Sequence, residues 1–130
     1  MNPLTQAVTT GTFGELLVQL RLLQYEVQAA PPLKDSGNDL VALKGSVIKT
    51  IQVKTATQDL PPWPEHSKLY DLLAVVKLEG EGTEVNLDQS QIFLIPKTAL
   101  ANTERRWKAL AAYVLSAAHV SALFRQTQQL

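Results

Sequence analysis

Apolar and polar positions alternate with two different periods along the chain, and the changes of period mark its elements. Residues 13–23 repeat at helical spacing: Phe13, Leu16, Leu17 and Leu20 form one stripe, while Val18 and Leu22 fall on the side of Glu15. A helix apolar on both sides is expected to be mostly buried, with Glu15 near its N-terminal end at the edge of a sheet. Thr10, Gly11 and Thr12 offer its caps, and the mostly polar residues before them are expected to be ordered in part at best. Residues 25–30 predict a short strand, stopped by Pro31-Pro32. Residues 38–44 and 46–55 predict a hairpin turning at Lys44-Gly45, its second strand rich in β-branched residues. The near-continuous apolar run at 70–79 predicts a strand inside the sheet, covered on both faces. Residues 91–96 predict the last strand, ended by Pro96, with a polar stretch before it that pairs weakly. Between the hairpin and the apolar run, QDLPPWPEHSK is too rich in proline for a helix. Asn102-Thr103 reads as an N-cap and residues 103–126 as the longest helix. Its stripes, Trp107, Leu110, Val114, Leu115 and Ala118 beside Tyr113, Ala117, Val120 and Phe124, exceed what one sheet face needs. A homo-oligomer formed through this C-terminal helix is therefore expected.

The hairpin carries polar residues that a plain core hairpin would not place there. Side chains alternate along a strand, so Gln52 and Lys54 share one face, and Ile51 and Val53 share the other. In an antiparallel pair Asp39 faces the same way as Gln52 and Lys54. A carboxylate, an amide and an amine then converge beside an apolar layer. Two readings fit this arrangement: a catalytic site, or an ion pair of Asp39 with Lys54 at a strand end. Lys34 and Asp35, in the loop before the hairpin, would stand at its mouth. Glu15 also has two readings, a group of the site or an acid favoured by the helix dipole.

Composition narrows the function classes. The 130 residues fit one domain, 45% hydrophobic and 18% charged, which is a globular balance. The absence of cysteine removes disulfides, thiolate metal sites and cysteine nucleophiles. No apolar run spans a bilayer and no signal peptide is read at the N-terminus, so a cytoplasmic location without membrane attachment is expected. Twelve basic and twelve acidic residues cancel, which argues against tight non-specific DNA binding but leaves room for a local basic patch. Trp63 is read as pinning its loop to its own domain, and His66 and His119 as surface residues.

Asp39 followed by Gln52-Val53-Lys54, with Gly14-Glu15 upstream, resembles the PD-(D/E)XK nuclease superfamily in its resolvase-like and restriction or homing endonuclease-like branches. Asp39 matches the aspartate of the second core strand, and Gln52 to Lys54 the (D/E)-X-K tripeptide, as a QxK variant. Asn38 stands where a proline is common, and Gln52 where an acid is usual. The resemblance runs from about Gly11 to Pro96. It implies an α/β fold of restriction-endonuclease type, an αβββ(α)β core with a mixed central sheet flanked by helices, here with the crossover helix shortened or lost. It also implies DNA as partner and Mg²⁺ or Mn²⁺ as cofactor. Asp39, Gln52, Lys54 and Glu15 would be catalytic, with Asp39, Gln52, the Val53 carbonyl and Glu15 around the ion. The function implied is metal-dependent phosphodiester hydrolysis in DNA; the alternative is an inactive relative that binds nucleic acid or serves in assembly.

Overall fold

The computed structural model describes residues 5–34, 38–80 and 84–125, and its sheet is mixed, with five strands in the order β1-β2-β3-β4-β5. The elements are α1 (Gln6–Gln24), β1 (Gln28–Ala30), β2 (Leu40–Lys44), β3 (Val47–Ala56), β4 (Leu72–Glu79), β5 (Asn86–Pro96) and α2 (Ala117–Leu123), with 3-10 helices at Lys97–Asn102 and Trp107–Tyr113. Strands β3 and β4 run parallel and every other pair is antiparallel. The connection from β3 to β4 contains no helix, as its prolines require. Asp35, expected at the mouth of the site, lies outside the described residues, as does part of the turn after Glu79.

Each sheet face carries its own core. On one face Leu17, Val18 and Leu22 of α1 pack on Leu40, Ile51, Val53, Ala74, Val76 and Leu94. On the other, Leu73, Val75, Phe93 and Ile95 are covered by Leu60, Leu100 and Leu110. β4 lies inside the sheet and is buried on both faces, which explains its unbroken apolar run.

Three expectations change. Helix α1 starts at Gln6, because Thr5 caps it by accepting from the Val8 amide at 3.2 Å. This first turn contains too little apolar sequence to announce itself. Only one side of α1 is buried: Leu16, Leu20 and Leu23 are 58%, 54% and 60% exposed, since among the described residues no layer covers the helix from outside. Strand β5 begins at Asn86, where a register shift against Lys77/Glu79 is filled by Ser90, whose hydroxyl accepts from the Glu79 amide.

The long C-terminal helix does not form. Thr103 closes the first 3-10 helix, its hydroxyl donating to the Ala99 carbonyl at 2.7 Å. Trp107–Tyr113 lies on the second face and buries Leu110. Val114 is then extended and bridges Phe93 on the edge of β5, with the Leu115 amide donating to Ile92. Ser116 caps α2 by accepting from the His119 amide, and α2 places Val120 and Phe124 in the first core. Trp107, Leu110 and Tyr113 thus serve one face of the sheet and Leu115, Val120 and Phe124 the other, and one straight helix could not reach both. Tertiary packing overrides the helix propensity of an alanine-rich segment. The apolar excess inferred from a single helix disappears, and with it the ground for an oligomer through that helix. His119 is half-buried, not solvated, with Nε2 2.7 Å from the Leu94 carbonyl.

Candidate active site

The site is built where the hairpin opens. β2 and β3 pair from Lys44–Val47 to Leu40–Ile51, and β3 continues to Ala56 with β4 alone as its partner. The turn at the closed end is tight, with Gly45 at φ 61°. At the open end the Asp39 amide still donates to the Ile51 carbonyl at 2.9 Å, but its side chain replaces the missing ladder. Asp39 Oδ2 accepts from the Val53 amide at 2.8 Å and from Gln52 Nε2 at 2.9 Å. These charge-assisted bonds fix the carboxylate. Among the described residues Oδ1 takes no hydrogen bond.

The direction of the Val53 amide also places its carbonyl. In a strand the N–H and C=O of one residue point to the same edge, so the Val53 carbonyl faces the gap left by β2. Gln52 is 7% exposed, and with its nitrogen turned to Asp39 its carbonyl oxygen is left to another partner. Lys54 is half-buried on the same strand face as Gln52. It makes no ion pair or hydrogen bond among the described residues, so the ion-pair reading of Asp39 with Lys54 does not hold.

Glu15 arrives from α1 because the helix comes unusually close to β3. A Cβ on Gly14 would stand 1.7 Å from Thr55 Oγ1 and 2.9 Å from Thr55 Cβ, so only glycine permits this crossing. Glu15 then borders an open groove of about 490 Å³ with Val53, Lys54 and Thr55 on one side and Gln6, Ala7, Thr10 and Gly11 on the other. Burial, and secondly the negative charge of Asp39, push its carboxyl above the ordinary glutamate range. Asp39 and Gln52 do not line this groove; they sit behind Val53, at its β2 end. Sequence reasoning pointed to Asp39, Gln52, Lys54 and Glu15 but not to the groove wall of Gln6, Ala7, Thr10 and Gly11, because the first turns of α1 carry no apolar period. The mid-helix glycine was the available signal for the close approach.

The candidate donors are hard oxygens: the Asp39 carboxylate, the Gln52 amide and the Val53 carbonyl at the open hairpin, and the Glu15 carboxylate in the groove that Asp39 and Gln52 do not line. No group of three His, Cys, Asp or Glu that could hold a metal occurs among the described residues. Mg²⁺ is often held by one or two carboxylates and keeps several waters, so this set fits that ion or Mn²⁺. A cation would also relieve the repulsion of Asp39 on Glu15.

The fold has a solved counterpart. The structure of a bacterial homing endonuclease superposes on 92% of this chain and 91% of its own, with a TM-score of 0.58 and 14% identity. The two share a fold, a mixed sheet flanked by helices. No family model and no curated protein matches the sequence. No helix among the described residues is long and apolar enough to cross a membrane. Trp63 packs against the second core, in keeping with a role inside its own domain.

Proposed function

We propose that the protein is a metal-dependent DNA endonuclease of PD-(D/E)XK type, with Asp39, Gln52, Glu15 and Lys54 as its centre. The observation that carries this reading is the open end of the hairpin, where Asp39 is held by Gln52 and Val53 while Lys54 has no carboxylate partner among the described residues. A fold shared with a homing endonuclease supports it.

A bound divalent cation would supply positive charge at the scissile phosphate and acidify a water. Asp39 would hold it through Oδ1, aided by the Gln52 and Val53 carbonyl oxygens, with Glu15 acting through a water. The two bonds on Asp39 Oδ2 keep that carboxylate from turning away. Lys54 would hold the attacking water or stabilise the negative charge that develops on the phosphate oxygens. Because Gln52 is neutral, the centre carries less negative charge than one with a third acid, and cation affinity should be weak.

The test combines Mn²⁺ titration calorimetry with cleavage of linear and branched DNA. Asp39→Ala should lose both cation binding and cleavage. Lys54→Ala should keep cation binding and lose cleavage by about 100-fold or more, the scale of removing one stabilising donor. Gln52→Glu should bind Mn²⁺ more tightly. Equal Mn²⁺ binding by wild type and Asp39→Ala would remove the centre from this position.

A further inference from the structure

A second cluster on the same sheet faces away from α1 and is not used by the centre just described. Lys54 pairs across the parallel ladder with Val75, and Ala56 with Lys77. Alternation puts Lys54 and Lys77 on one face, that of Leu73, Val75, Phe93 and Ile95, with Lys77 one side-chain step further along the neighbouring strand. There Lys77, Gln91, Phe93, Trp107 and Lys108 line an open pocket of about 350 Å³. The Lys77 ammonium lies 5.3 Å from the Trp107 ring centroid, and the Phe93 ring lies 6.0 Å from it at 44°. Trp107 is itself tethered, its Nε1 donating to the Gln58 carbonyl at 2.8 Å just past the end of β3.

The chemistry of this pocket is one-signed. None of the described residues that line it is acidic. Neither Lys77 nor Lys108 makes an ion pair or a hydrogen bond among the described residues, although the chain carries as many acids as bases. Both ammonium groups therefore keep their N–H donors, and a tryptophan ring held from one edge lines the same pocket. An anion would be bound by the lysines, and a flat group by the ring.

We infer that the Lys77–Trp107–Lys108 pocket holds a single nucleic-acid strand leading away from the Lys54 centre, with phosphates on the two lysines and a base against Trp107. The choice of a polynucleotide over another polyanion rests on the nuclease reading of the Asp39 centre. The pocket would then take the unpaired flank of a substrate, outside the segment being cut.

Binding of a dT 12-mer without cations tests this, read by anisotropy and by the fluorescence of Trp107 in a Trp63→Phe background. Lys108 is exposed, so Lys108→Glu should fold as wild type does and bind the 12-mer at least tenfold more weakly. Lys77→Met should weaken binding similarly and alter the Trp107 response. Lys68→Glu, which changes an exposed lysine before the other end of β4, should bind as wild type. Equal binding by Lys108→Glu and wild type, or no binding by wild type, overturns the inference. So does competition by inorganic polyphosphate as effective as that by dT, which would leave no role for the ring. Mn²⁺ affinity, measured on the same variants, separates the two readings. Loss of 12-mer binding in Lys108→Glu with no Mn²⁺ site at Asp39 would sink the nuclease reading alone. The converse would sink only the strand pocket.

Discussion

Glu15 shows what a single residue contributes and costs. Its carboxyl is partly buried beside the groove that Val53 also lines and within reach of the Asp39 charge, and both raise its pKa, burial first. A raised folded-state pKa means that the ionised form is disfavoured by folding. The stability this group contributes is complete below the unfolded glutamate range and is lost as pH rises through the raised folded value. Glu15→Gln, neutral throughout, should therefore melt higher than wild type at pH 7, and the gap should close as the pH falls below the ordinary glutamate range. Adding Mn²⁺ at pH 7 should narrow or reverse the gap, because a cation favours the ionised acid and stabilises whichever form binds it. Melting curves at two pH values, with and without Mn²⁺, check this. A gap that is the same at both pH values would mean that Glu15 titrates as it does in the unfolded chain. The residue is thus one whose charge is disfavoured by folding, and whose charge a bound cation would favour.

At the scale of elements, the crossing of α1 over β3 is set by one glycine. Gly14→Ala would drive a methyl group into Thr55, meeting Oγ1, Cβ and Cγ2 together, so rotation of the threonine cannot relieve it. The helix must lift, at a cost of about 1–3 kcal/mol for overpacking. Adding Thr55→Ala removes two of the three contacts and should recover part of that loss, whereas Gly11→Ala, whose Cβ meets nothing within 4 Å, should change stability little. Chemical denaturation of the three variants tests the crossing, and a fully stable Gly14→Ala would show that α1 is free to ride further out. The same crossing marks what was legible in the sequence. The hairpin, the inner strand and the group of Asp39, Gln52 and Lys54 followed from period-two alternation, because these segments are buried on fixed faces. The start of α1 was hidden because a hydroxyl cap and a solvent-facing turn leave no hydrophobic signature. The end of the chain misled for the opposite reason. Residues 107–124 have an apolar period compatible with one helix, yet Val114 to Ser116 must cross the edge of β5 to serve both cores. A local pattern cannot tell one continuous apolar helix from two short segments that pack on opposite faces of a sheet.

For the whole molecule, the balance of twelve bases and twelve acids sets how it can bind a polyanion. No broad positive field draws DNA from a distance, so affinity depends on the few cations that have no acidic partner at the point of contact. Among the described residues, Lys54 at the open hairpin and Lys77 and Lys108 at the Trp107 pocket meet that description, and all three lie on one side of the sheet. A single strand releases about 0.7 counterions per neutralised phosphate, so contacts from these lysines predict a slope of about −2 for log K against log salt. Lys108→Glu should flatten that slope, since it removes one contact and places a repelling charge beside another. Removing Asp39 should leave the slope unchanged or steeper, because its carboxylate repels the strand when no cation is bound. Anisotropy titrations of the dT 12-mer over a range of NaCl concentrations measure all three. A slope near −5 in wild type would mean that many more basic groups engage the strand than this face provides, and that the path of the substrate runs elsewhere over the surface.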